Sequence, residues 1–236
     1  MRERFWRTHL FWPVMAFAII ALALEMSHID LIVADWFYGL EGHRWALRRH
    51  FVTSDLLHKA AQDLSRLVGI LLFLLVIASP FVKRLVPYSR VLFLLFISLA
   101  TSTLLVSIGK YLTHVDCPWD LLRYGGERLY VRTFESHPAG PPYGQCFPSG
   151  HASAGYGFIS LYFVFLDCCP PWKWAGLATG LGLGFLYGLT QQLRGAHFIS
   201  HDLWALAVCW ASALFWYWIL CRHTHTESAG LLAGRL

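Results

Sequence analysis

Charge is what this sequence has least of: only 14% of its 236 residues are Asp, Glu, Lys or Arg, against roughly 25% in a soluble domain. The deficit excludes a fold built for water alone and points to lipid as a second solvent. No long Lys/Arg run accompanies the formal net charge of +5. That argues against nucleic acid as a partner and for anchoring charges dispersed along a membrane surface. No C-x-x-C pair occurs among the six cysteines, so a structural zinc site is not expected. Cys168, Cys169, Cys209 and Cys221 lie in or beside apolar stretches and make no disulfide framework. Only Cys117 and Cys146 share one long polar loop, where an oxidising compartment would pair them and a reducing one would leave two thiols. A small-x-small cleavage site followed by a polar start is also missing. The apolar run after Met1-Arg2-Glu3-Arg4 therefore reads as an uncleaved anchor.

Apolar and aromatic residues are abundant. The chain is 56% hydrophobic, and its eleven Trp and ten Tyr fit aromatic belts at membrane interfaces. A hydrocarbon core of about 30 Å takes about 20 helical residues. Six segments approach that length: Leu10–Met26, Leu67–Val82, Val91–Gly109, Gly150–Leu166, Trp174–Leu189 and Leu203–Cys221. The expected fold is an all-α integral membrane protein, a six-transmembrane-helix bundle. Residues 1–66 form an anchor helix plus an interfacial amphipathic segment, 67–222 the helical core, and 223–236 a tail. The stretch Asp30–Arg66 mixes Trp36, Phe37, Tyr38 and Trp45 with Arg44, Arg48, Arg49 and Lys59, which suits helices lying in the interface. Lys and Arg are denser in residues 1–9, 83–90, 167–173 and the tail than in the remaining loops. This places both termini in the cytoplasm. Gly155, Gly157, Gly180, Gly182, Gly184 and Gly188 are expected to let the fourth and fifth spans pack closely.

With six spans, Lys110 ends the third, Ser149-Gly150-His151 opens the fourth, and His197 lies in the turn between the fifth and sixth. Odd-numbered exits and even-numbered entries share a membrane face, so all three stretches meet outside the cytoplasm. Ser149 is a good helix N-cap, and the first free N–H groups of the helix point outward with the positive end of its dipole. Gly150 lets an oxygen approach the backbone. The product is an anion cradle, with His151 beside it as a titratable group. Arg194 and His197, three residues apart, fall on one face if the turn is helical. Arg grips two phosphate oxygens at once, and a neutral imidazole is a competent nucleophile toward phosphorus. His201, four residues further, is placed to orient His197. Glu25 and Asp167 are read as interfacial carboxylates. His28, His43, His50, His58 and His114 lack metal-ligand spacing and are read as solvated. His223 and His225 carry no reading.

These motifs make the chain resemble the type 2 phosphatidic acid phosphatase family, the membrane relatives of vanadium haloperoxidases. The family's pattern is K-x6-R-P, then P-S-G-H, then S-R-x5-H-x3-D. Pro148–His151 matches the middle motif fully, Lys110 and Pro118 match the first, and His197 aligns with the nucleophile of the third. Cys117 stands where the first motif has Arg, Gln191 where the third has Arg, and His201 where it closes on Asp. Asp202 is one residue beyond, Arg194 lies three residues after Gln191, and Arg123 is a candidate for the missing cation. The wording around His197 resembles a bacterial branch of the family.

The resemblance implies that His197 attacks phosphorus to give a phosphohistidine and that His151 protonates the leaving alcohol, then activates water. It implies Lys110, Ser149, Gly150 and Arg194 as the phosphate-binding residues, His201 as the support of the nucleophile, and neither a metal nor another cofactor. The implied protein is a lipid-phosphate phosphatase of the bacterial inner membrane with its active site on the periplasmic face. Its partners are a lipid-linked phosphate and the surrounding lipids. Candidate substrates are undecaprenyl pyrophosphate, phosphatidic acid, phosphatidylglycerol phosphate and lipid A phosphates. Two alternatives remain open at this point: a lipid phosphotransferase using the same site, and an anionic-lipid transporter or binding protein.

Overall fold

A computed structural model describes residues 2–133, 135 and 144–221. The expected tail at 223–236, with its two histidines, and the loop residues Pro138, Gly140, Pro141 and Pro142 lie outside the described residues. Within them the chain is all helical, with seven longer helices where six were expected. These are α1 (residues 2–27), α2 (Ile29–Leu40), α3 (Val52–Ala78), α4 (Ser89–Thr113), α5 (residues 150–168), α6 (Lys173–Leu193) and α7 (Ile199–Cys221). The additional helix is α2. It is twelve residues long and lies inside the segment read as interfacial. It buries Asp30, Ala34 and Phe37 along one face, the spacing of an amphipathic helix docked on protein.

Four segments are long and apolar enough to cross a membrane: Glu3–Ser27, Val52–Ala78, Val86–Asp120 and Ile199–Cys221. The expected fourth and fifth spans are helices too, α5 and α6, but do not reach that standard. For α5 the reason is its position. α5 is the hub of the bundle and packs against α4, α6 and α7, so Ala152, Ile159, Ser160 and Phe163 are shielded by protein rather than by lipid. A helix surrounded by protein can carry serine and glycine where a lipid-facing one carries leucine. α5 also tightens into a 3-10 turn at Gly157–Ile159, where it crosses α6. The second span begins earlier than expected: residues 52–66 continue directly into the apolar half of α3.

Small residues set the packing. On α6, Gly176, Gly180 and Gly184 recur every four residues and face α5. A side chain on them would collide with Leu161, Ile159 and Tyr156 respectively. Gly188, the next in that row, faces the Asp202 carboxylate of α7. Gly182 has open space around it, because it falls between the rows, so it takes no part in the close approach expected of it. α4 meets α7 along Leu94, Ser98, Ser102 and Val106, with the Ser212 hydroxyl donating to the Ser98 carbonyl at 3.1 Å. α1 closes the bundle from outside. Trp210 Nε1 donates to the His9 carbonyl at 2.8 Å, and the His9 ring bonds the Tyr162 hydroxyl at 2.9 Å. A π-helical stretch at Arg7–Phe11 precedes Pro13, easing the loss of that residue's N–H.

Candidate active site

The chain between α4 and α5, the start of α5 and the turn between α6 and α7 are stitched into one structure at one end of the bundle. Thr113 Oγ1 donates to the Phe147 carbonyl at 2.9 Å. The Cys146 N–H donates to the Val115 carbonyl at 3.0 Å, and the Trp119 N–H to the Gly195 carbonyl at 2.9 Å. The Ser149 N–H donates to the His201 carbonyl at 3.0 Å. Cys117 and Cys146 form a disulfide, so the paired state is the one observed. Closing a loop of 29 residues stabilises the fold by about 3–4 kcal/mol in the chain-entropy model. From outside the motifs, the buried Asp30 carboxylate of α2 accepts the Ser200 N–H at 3.0 Å and so fixes the start of α7.

Ser149 caps α5 as its sequence position predicts: it is fully buried and its Oγ accepts the Ala152 N–H at 3.3 Å. A side chain at Gly150 would come within 3.2 Å of Lys110 Cε and 3.7 Å of Nζ. The absent Cβ therefore leaves room for the ammonium to rest over the first turn of α5. Lys110 Nζ is held there by the Gln145 carbonyl at 2.7 Å. A cation above free helix N–H groups and the positive end of a dipole is a place for an anion.

Around this cradle stand two pairs of imidazoles. His197 and His201, both buried, approach through their Nδ1 atoms at 3.4 Å, and the Cys146 carbonyl bonds both rings. Burial holds His197 well below the usual imidazole range, and the charge of Lys110 adds to it; the Cys146 carbonyl opposes only in part. With Nδ1 turned to His201, the ring nitrogen of a neutral His197 that is left for other chemistry is Nε2. The second pair is His151 and His58, stacked with ring centroids 4.0 Å apart and planes at 29°. His151 Nε2 is buried with no hydrogen-bond partner among the described residues.

Arg194 is buried at the turn after α6. Its Nη1 donates to Gln191 Oε1 at 2.9 Å and its Nε to the Arg48 carbonyl at 3.2 Å. Burial and the nearby Arg48 charge lower its pKa, yet a guanidinium stays charged in any protein setting. The turn needs Gly195, whose φ of +68° belongs to the left-handed region, and the Trp45 indole occupies the space a side chain would take. Arg48 lies over the Trp119 ring at 4.1 Å. The segment read as merely interfacial thus roofs the third motif.

The structure brings together Lys110, Ser149, Gly150, His151, Arg194, His197 and His201. It does not bring in Arg123, whose guanidinium forks onto the Asp35 carboxylate at 2.7 and 2.6 Å. Cys117 cannot stand in for a cation, being disulfide-bonded. Asp202 is turned toward α6: it accepts from Gln192 Nε2 at 2.6 Å and bonds the Ser149 side chain. His201 rather than Asp202 reaches His197. Sequence reasoning misses His58, read as solvated, and Gln191, read only as a lost arginine. His58 carries no motif signal, since it lies 93 residues before the histidine it stacks on, and Gln191 departs from the residue its motif position calls for. No group of three or more His, Cys, Asp or Glu able to hold a metal ion occurs among the described residues.

Two histidine pairs and two cations thus stand around a capped helix start, in a helical bundle with four segments apolar enough to cross a membrane. A family model described as PAP2 superfamily matches residues 91–224, and the chain belongs to that superfamily, whose members are phosphatases. No curated protein and no solved structure matches it.

Proposed function

We propose that the chain is a lipid-phosphate phosphatase that works through a phosphohistidine on the periplasmic face of a bacterial inner membrane. In this reading the bundle passes the membrane six times, with both termini in the cytoplasm. The observation that carries it is the convergence of His197, the unpartnered His151 Nε2, Lys110 and Arg194 at the Ser149-capped start of α5.

His197 Nε2 attacks phosphorus while the bond to the lipid oxygen breaks, and His151 gives that oxygen a proton. His151 then takes a proton from water as the water attacks the phosphohistidine, and the P–N bond breaks to release phosphate. Lys110, Arg194 and the N–H of Gly150 hold the equatorial oxygens, where transition-state charge gathers. Ser149 contributes by shaping the cap, since its own oxygen is engaged with Ala152 and Asp202. His201 keeps His197 in the tautomer that exposes Nε2. The reaction at headgroup depth supports a lipid rather than a soluble ester as substrate.

The test is phosphate release from a panel of lipid phosphates in detergent with excess chelator, comparing the native chain with His197→Ala. Chelator-resistant release that disappears in the variant is the expected result. A native chain that releases phosphate from none of the lipids would overturn the reading.

A further inference from the structure

His58 belongs to α3, upstream of the residues the family model matches, yet its ring lies flat against His151 at 4.0 Å. What holds it there is Gln191. The Arg194 guanidinium has only donors to offer, so the Gln191 oxygen faces it, at 2.9 Å. The amide nitrogen is then left to face His58 Nδ1, at 3.0 Å. An amide nitrogen can only donate, so Nδ1 accepts and the proton of the neutral ring sits on Nε2. The chain Arg194–Gln191–His58 thereby fixes both the position and the tautomer of a half-buried imidazole. Gln191 is itself almost fully buried, so its amide has little freedom to turn over.

The stack has a mechanical effect on its partner. A face-on neighbour at this distance restricts rotation of the His151 ring, and the buried Nε2 of His151 has no other bond to orient it. Proton transfer demands that this nitrogen meet the leaving oxygen within hydrogen-bond reach. We propose that His58 is a positioning residue of the active site, clamped by Gln191 and Arg194 so that its ring holds His151 aimed at the leaving group. The residue types suit such a clamp, because a glutamine at this position bonds both a guanidinium and an imidazole at once, which an arginine cannot. The active site then extends beyond residues 91–224 into α3.

The inference rests on the phosphatase reading for its kinetics, so a second readout is needed that requires no substrate. Nitrogen-15 NMR of selectively histidine-labelled full-length protein in detergent should show His58 in the Nε2–H tautomer. The His151 ring signals should change in His58→Ala and change less in His58→Phe, which keeps an aromatic ring for the stack but gives up the bond to Gln191. An Nδ1–H tautomer for native His58, or His151 signals indifferent to His58→Ala, overturns the proposal whatever the enzyme acts on. With phosphatidic acid in detergent micelles as probe, His58→Ala should lower kcat by about 10- to 100-fold with KM little changed, and His58→Phe, which restores the stack without the clamp, should recover part of it. Equal losses in the two variants, or a loss confined to KM, also overturn it. Failure of the native chain to turn over the lipid counts against the phosphatase reading alone, and the NMR measurement then decides the role of His58.

Discussion

The two imidazole pairs of the site are built in opposite ways. His197 and His201 come from one stretch of chain, four residues apart, and meet at their nitrogens with planes at 65°. His151 and His58 come from two helices and meet face to face. The first pair is an electronic arrangement, in which one ring sets the proton of the other. The second is a steric one, in which one ring sets the angle of the other. A nucleophile needs its lone pair defined, whereas a proton donor needs its direction defined. Each pair fits the role proposed for it.

The sharpest way to break the first pair is His201→Ala. It should lower kcat by about 100-fold or more, whereas Asp202→Asn should leave kcat within a few-fold of native. Steady-state phosphate release measures both, and the reverse ranking would transfer the supporting role to Asp202. Lys110 serves both pairs, since it lies over the cradle between them. Lys110→Met should cost about 100–1,000-fold, or about 2.7–4 kcal/mol of barrier, seen in kcat/KM at unchanged expression.

Smaller effects separate the pairs through their supports. The Cys117–Cys146 disulfide anchors the Cys146 carbonyl that bonds the first pair and touches neither ring of the second. The double variant Cys117→Ser, Cys146→Ser should lose at most about 3–4 kcal/mol of stability, read from unfolding in detergent with and without reductant. Its His151 NMR signals should remain native. The mildest perturbation is acid. His197 is held neutral in the fold, with its pKa below the ordinary value of 6.5. The unfolded chain therefore binds the extra proton first as pH falls. Stability contributed by this site is complete above the ordinary histidine range and is lost progressively below it. A thermal-unfolding series from pH 7.5 to 5 should show Tm falling toward acid, and a flat series would contradict the buried neutral state.

What the sequence discloses follows the range of the interactions. The Ser149 cap, the bare Gly150 and the approach of His201 to His197 are local events, fixed by spacing within one turn, and the sequence predicts each. The meeting of the three motifs needs only the parity of helix crossings. Other features depend on the third dimension. Arg123 is a reasonable replacement cation by charge alone, but Asp35 of α2 takes it. His58 has no local signal, because what defines it is Gln191 on another helix. The count of spans differs from the expected six for a related reason: α5, wrapped in protein, is less apolar than the four segments long and apolar enough to cross a membrane. Composition groups Gly182 with its neighbours, although only glycines four apart share a face with α5.

The row of glycines on α6 has a consequence for how the enzyme tolerates change. From Gly176 to Gly188 it covers about 18 Å of helix, with α5 seated against its first three members. The cradle begins α5 and Arg194 follows the end of α6, so the two helices act as the arms of a pair of tongs. In the proposed reading the phosphate sits between the tips. Because Gly176 and Gly180 meet the backbone of α5 and Gly184 the Tyr156 ring, with no compressible filler, a methyl group inserted in this row is not absorbed where it is added. In the proposed reading it would be passed along the arms as a change of gape, so that a distant, chemically silent glycine would bear on how wide the grip opens.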